Sequence, residues 1–108
     1  MKYSYLILLV LFFCSCKKTN PTQTDNIPCD PAISYSGKVK AVFVTNCTAS
    51  GCHDGVNYPS LADYITAKDA SQQIRTAVFN GVMPKYGTLS AADKAALICW
   101  IDSGSKNN

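Results

Sequence analysis

Cys47-Thr48-Ala49-Ser50-Gly51-Cys52-His53 is the stretch on which the reading of this chain turns. Two thiols stand five positions apart, and the only histidine follows the second at once. On a straight helix that separation rotates the second side chain by about 140° from the first, so the thiols would diverge. Two thiols that act together therefore require a loop. Ala49, Ser50 and Gly51 are small enough to let the insert bulge outward while its ends stay close, and Gly51 admits dihedrals closed to other residues.

Upstream, residues 34–47 set Val39, Val42 and Phe43 at helical spacing, with Ser36 and Gly37 as start signals and Asn46 near the stop. Downstream, residues 48–59 hold two Gly, an Asp-Gly pair, Asn57 and Pro59, the composition of an irregular loop. Residues 60–68 bring Leu61, Tyr64 and Ile65 together on a second helix, with Ser60 as its cap and Asp63 three positions on. Ile74, Ala77 and Val78 repeat the spacing over residues 71–80, and Asn80-Gly81 stops that helix. Residues 84–88 read as a turn. Ser90 then opens Ser-Ala-Ala-Asp, a capping-box variant, before a last helix with Leu97, Trp100 and Ile101 on one side and Gly104 at its close. No segment alternates apolar and polar residues over strand length, so the expected fold is all-α, with about four helices.

The N-terminus reads as an export signal. Lys2 precedes an unbroken apolar run from Leu6 to Phe13, too short for the roughly 20 apolar residues of a membrane span. Phe12-Phe13-Cys14-Ser15-Cys16 resembles a bacterial lipoprotein signal, which implies cleavage after Ser15 and diacylation of Cys16. Two acyl chains give stable anchoring where one is marginal. The expected organisation is a signal peptide over residues 1–15, a lipidated Cys16 and polar tether over 16–28, and a folded domain over 29–108. Residues 17–27 are almost wholly polar and cannot bury enough surface to offset ordering. About 80 residues then remain, a length at which burial alone gives a marginal fold and a staple or cofactor is commonly needed.

Ten basic residues face seven acidic ones, all Asp, and loss of Lys2 narrows the excess further. The lysines are scattered, so no stripe that could follow a phosphate backbone is present, and nucleic acid is not an expected partner.

The chemistry returns to Cys47, Cys52 and His53, which are close to the haem c attachment pattern Cys-x-x-Cys-His, with two more residues between the thiols. In that pattern the thiols add to the two haem vinyl groups and the adjacent histidine ligates iron. A second axial ligand is often a methionine, which raises the potential and closes the iron to oxygen. Met83, in Gly81-Val82-Met83-Pro84, is the candidate, with Pro84 stiffening the turn that presents its sulfur. Together with Leu97-Ile98-Cys99-Trp100-Ile101-Asp102-Ser103-Gly104, these residues resemble a small class I c-type cytochrome over nearly all of the chain after about Ser34. The resemblance implies a helical domain around one haem c per chain, with Cys47 and Cys52 as covalent attachment points and His53 and Met83 as iron ligands. It also implies a first and a last helix that cross, with Phe43 and Trp100 as partners there. The wider thiol spacing departs from the family pattern and leaves open whether both thioethers form.

With Cys16 assigned to lipid and Cys47 and Cys52 to haem, Cys29 and Cys99 remain, and an exported compartment favours a bridge between them. The implied function is electron transfer by a lipid-anchored protein of the cell envelope, exchanging electrons with redox partner proteins. The pocket expected to exclude water draws on Val39, Val42, Phe43, Ile74, Val78, Leu97 and Trp100. Two alternatives stay open: a disulfide-stapled binding or structural lipoprotein without haem, and an open-site haem protein of peroxidase-like or gas-binding type if Met83 is not a ligand. A zinc site from Cys47, Cys52, His53 and a further cysteine has the right donor types, but exported thiols tend to oxidise. Neither a Ser-His-Asp set nor paired carboxylates with a spare histidine is present, so enzymatic action is not expected.

Overall fold

Ser34 decides where the first helix begins. Its side chain accepts the Gly37 amide at 3.0 Å and its carbonyl accepts the amides of Lys38 and Val39, both at 3.2 Å. The chain thereby enters a π-helical turn, Tyr35–Val39, that runs directly into α1, Lys40–Asn46. In the computed structural model, which describes residues 26–108, α2 follows at Tyr64–Asp69, α3 at Ser71–Phe79 and α4 at Ala91–Asp102. The described residues are helical, with no strand among them. The expected signal peptide, the lipidated Cys16 and the tether up to residue 25 lie outside the described residues. Ile27, expected in the tether, packs against the core.

The core forms where the π turn and α1 meet α3 and α4. Val39, Phe43, Leu97, Ile98 and Trp100 are its fully buried large side chains. Phe43 and Trp100 meet edge to face at 6.1 Å between centroids, and Tyr35 lies 5.6 Å from Trp100 and 5.1 Å from Tyr64. Aromatic pairs in such arrangements contribute about 0.5–1.5 kcal/mol each beyond their burial. Unlike a one-sided amphipathic helix, α4 is buried continuously from Ala96 to Ile101. One of its faces meets the helices. On another, Cys99 is bonded to Cys29, with the Cα atoms 5.5 Å apart, so the segment before the π turn is fastened across α4. Outside the core, Arg75 grips Asp102 with two hydrogen bonds, at 2.6 and 2.9 Å, which fixes α3 against the end of α4.

The C-terminal tail folds back over this core. Trp100 donates its indole N–H to the Lys106 carbonyl at 2.8 Å, and the Tyr64 hydroxyl donates to the Ser105 carbonyl at 2.8 Å. Asn108 accepts the Tyr35 amide through Oδ1 at 3.0 Å, and through its carbonyl the amide and hydroxyl of Ser36, both at 2.8 Å. These bonds satisfy amides at the start of the π turn that have no partner within it.

The second helix differs from its sequence-based expectation. It begins at Tyr64 rather than Ser60, because Asp63 is the cap: its carboxylate accepts the Thr66 amide at 3.0 Å and the Thr66 hydroxyl at 2.8 Å. Leu61 is held outside the helix by its own amide, which donates to the His53 carbonyl at 3.1 Å, and its side chain is buried. Ile65, expected on the inner face, is exposed, and Ala67 takes the buried position.

Candidate functional site

Cys47 ends α1, where its amide donates to the Phe43 carbonyl at 2.8 Å. From there the chain bulges outward and returns. The Cys52 amide donates to the Ala49 carbonyl at 2.9 Å and the His53 amide to the Cys47 carbonyl at 3.0 Å, so the loop closes on its own first residue. Gly51, at the tip, has φ +82°, and a Cβ there would meet nothing within 4 Å. Only backbone conformation therefore demands a glycine at this position, in keeping with a turn that reverses between two thiols. Asp54 braces the tip from outside: one carboxylate oxygen accepts the Gly51 amide and the other the Val56 amide, each at 3.1 Å. These amides, Gly51 foremost, hold the Asp54 carboxyl below the usual range.

The His53 ring is fixed by a single bond. Nδ1 lies 2.7 Å from the Pro59 carbonyl oxygen, an acceptor only, so the nitrogen carries hydrogen and donates. In the neutral ring this leaves the Nε2 lone pair available to an electrophile, the tautomer and orientation that a metal-ligating histidine needs. The loop that delivers Pro59 thus sets the direction of His53.

Cys47 and Cys52 are both free thiols, partly buried. Burial, and secondarily the neighbouring Cys52, pushes the Cys47 thiol up to about 11. It stays protonated at neutral pH, when the nucleophilic species is the thiolate.

Opposite this loop, the turn after α3 is tied to the helix end. Val82 and Met83 both donate their amides to the Ala77 carbonyl, at 2.8 and 3.1 Å, which places Met83 half-buried beside α3. Between the two loops lies a cleft of about 780 Å³. Cys47, Cys52, His53 and Met83 all line it, with Ile74, Ala77 and Val78 contributed by α3 and Leu61 and Leu89 by the flanking segments. Lys85 and Tyr86 complete its rim; Tyr86 is 80% exposed.

Of the residues expected to form the pocket, Ile74 and Val78 do line it. Val39, Val42, Phe43, Leu97 and Trp100 do not; they are buried in the helical core behind it. The reason is directional, since their inward faces are used against one another, and the cleft is walled chiefly by loops. Sequence reasoning missed the roles of Pro59, Asp54 and Leu61. Pro59 and Leu61 act here through main-chain groups, which residue type does not advertise; Asp54, directly after His53 in an Asp-Gly pair, carried a turn signal that could have found it. Among the described residues, no three His, Cys, Asp or Glu side chains cluster as a metal site, so the zinc alternative has no assembled ligand set. No helix among them is long and apolar enough to cross a membrane.

The chain matches no protein family, no characterised protein and no solved structure.

Proposed function

We propose that the domain over residues 29–108 carries one covalently attached haem c and transfers electrons, with Cys47 and Cys52 as attachment points and His53 and Met83 as iron ligands. The observation that carries this reading is the convergence on one cleft of the Cys47–His53 loop and of Met83, which follows some thirty residues later in the chain. Its volume lies within the ~300–1,000 Å³ range of cofactor and ligand pockets. The residues fit the group chemically as well. Two reduced thiols meet the requirement for thioether formation, His53 has Nε2 free while Nδ1 is bound, and Met83 offers a soft donor from the opposite loop.

A haem attached at Cys47 and Cys52, with His53 and Met83 as its iron ligands, would supply one-electron exchange. The rest of the task belongs to the chain. Pro59 orients the His53 ring through Nδ1 and makes Nε2 a better donor. Ile74, Ala77 and Val78 present an apolar wall that would keep water from the bound group, and the Arg75–Asp102 contact holds α3, which carries that wall, against α4. With His53 and Met83 both on the iron, the group would serve electron exchange and leave no place there for a substrate.

The leader and Cys16 extend the proposal to location: an exported lipoprotein of the bacterial cell envelope, anchored by lipid and reaching redox partner proteins on its polar tether. The deciding experiment is a pyridine haemochrome spectrum of the protein matured in a host with cytochrome c assembly machinery and then denatured. A c-type band at one haem per chain is expected. Loss of all haem on denaturation would leave the disulfide-stapled lipoprotein as the standing alternative.

A further inference from the structure

We propose that Asp54 is a positioning residue for haem attachment, holding the long insert between Cys47 and Cys52 in the shape that lets both thiols reach one macrocycle. The inference rests on the haem reading above. Attachment adds each thiol across one vinyl C=C: an S–H bond and the C=C π bond break, and an S–C and a C–H bond form. No oxidant or reductant is consumed. What attachment does need is two sulfurs held at one separation.

Cys47 is fixed by α1, so the separation is set by where the insert returns Cys52. A longer insert has more ways to return. Two main-chain bonds, from Cys52 to Ala49 and from His53 to Cys47, close its inner side. The tip is restrained from outside, where the Asp54 carboxylate takes the Gly51 amide with one oxygen and the Val56 amide with the other. The second bond is local, reaching two residues on into the segment that leads to Pro59, whose carbonyl orients His53, so the two bonds together tie the tip of the insert to that segment. One side chain thereby links the placement of the second thiol to that of the ligand. Asp54 itself does not line the cleft, so it acts through Cys52 and His53 and not by touching the bound group. An amide side chain in the same pose would keep an acceptor oxygen at only one of the two positions and place an NH2 at the other.

The test matures the full chain, Asp54→Asn, Asp54→Ala and Asp63→Ala side by side and reads the number of thioethers per chain from the haemochrome band position and peptide mass. Asp63 is the control, because it caps α2 with the same kind of bond away from the cleft. The ratio of doubly to singly attached product should fall about tenfold in Asp54→Ala and about threefold in Asp54→Asn, the scale of losing two or one solvent-exposed loop hydrogen bonds, toward the low end of the net range. Asp63→Ala should match wild type. An unchanged ratio in Asp54→Ala overturns the inference, as does an equal fall in Asp63→Ala, which would mark general loosening. A wild-type chain without covalent haem sinks the underlying reading instead, and is seen before any variant is compared. A haem-free measurement closes the case: the effective concentration of the Cys47 and Cys52 thiols for each other, from glutathione titration and peptide mapping, should drop in Asp54→Ala by a similar factor, and no drop overturns the inference.

Discussion

The two halves of this domain are built on different principles. On one side the π turn, α1 and α4 bury Tyr35, Phe43, Leu97 and Trp100 against one another, and the Cys29–Cys99 bridge and the C-terminal tail close over them. On the other, two loops face each other across a cleft and are held mainly by main-chain bonds: His53 to Cys47, Leu61 to His53, Met83 to Ala77. The first half draws its stability from side-chain burial. The second draws its shape from backbone closure, and the chemistry-bearing residues stand on it. A small domain gains from this division, because the loops that line the cleft can be tuned without disturbing the packing that keeps the chain folded.

Trp100 carries the largest single contribution to the helical half. It is 1% exposed, touches Phe43 and Tyr35, and donates to the Lys106 carbonyl. Trp100→Ala should cost about 5 kcal/mol, near the top of the range for buried aromatics, and leave a chain that is largely unfolded at 25 °C in a urea titration. A loss under about 1 kcal/mol would mean the helical half is not the source of stability assigned to it.

The bridge is next. Cys29 and Cys99 enclose a loop of sequence separation 70, for which the chain-entropy account gives about 4 kcal/mol. The double variant Cys29→Ser, Cys99→Ser should lower the unfolding free energy by about that amount, while the circular dichroism of the folded state stays helical. Free Cys29 and Cys99 in a non-reducing peptide map would remove the staple from the account.

How far the two halves could be read from sequence follows the same division. The helical half was legible because burial imposes a period: Val39, Val42, Phe43 and Leu97, Trp100, Ile101 announce their helices, and Asn80-Gly81 and Gly104 mark the stops. Cys47, Cys52, His53 and Met83 stand out by residue type and spacing, and the structure gathers them on one cleft. What could not be read is whatever acts through the main chain. The Pro59 carbonyl on His53 and the carbonyls of Ser105, Lys106 and Asn108 on the core would be supplied by almost any residue at those positions. The start of α2 was misplaced because Ser60 and Asp63 are both good caps, and only the tertiary tie from Leu61 to His53 selects the second. The expected pocket residues failed in a related way, since periodicity tells that a face is buried without telling which neighbour covers it.

Met83 sharpens the contrast from the loop side. It is half-buried, and its backbone is held whatever its side chain is, so Met83→Ala should cost only about 1 kcal/mol in the haem-free protein. In the loaded protein the same change should convert a low-spin absorption spectrum to one with a high-spin component and allow carbon monoxide to bind the reduced form. A variant whose low-spin spectrum is unchanged would take Met83 out of the ligand set and favour the open-site alternative less than a different sixth ligand.

The smallest effect lies at the seam between the π turn and α4. Lys38 and Asp93 pair at 2.7 Å, and that contact, followed by the Ser90 side chain and the Lys38 charge, holds the Asp93 carboxyl below its usual value. Asp93 also stands in the first turn of α4, where a negative charge meets the exposed amides of the helix start. A carboxyl whose value is lowered by folding stabilises the folded state above the unfolded value of about 3.9 and loses that contribution as pH falls through its lower folded value. Because the pair is partly exposed, Asp93→Asn should cost about 0.5 kcal/mol at pH 7, and the gap between wild type and variant should close as unfolding titrations are repeated from pH 5 down through pH 3. A gap that persists in acid would mean that Asp93 acts through its hydrogen bonds to the helix start and not through its charge. In that case the seam would belong with the backbone-held half of the molecule and not with the packed one.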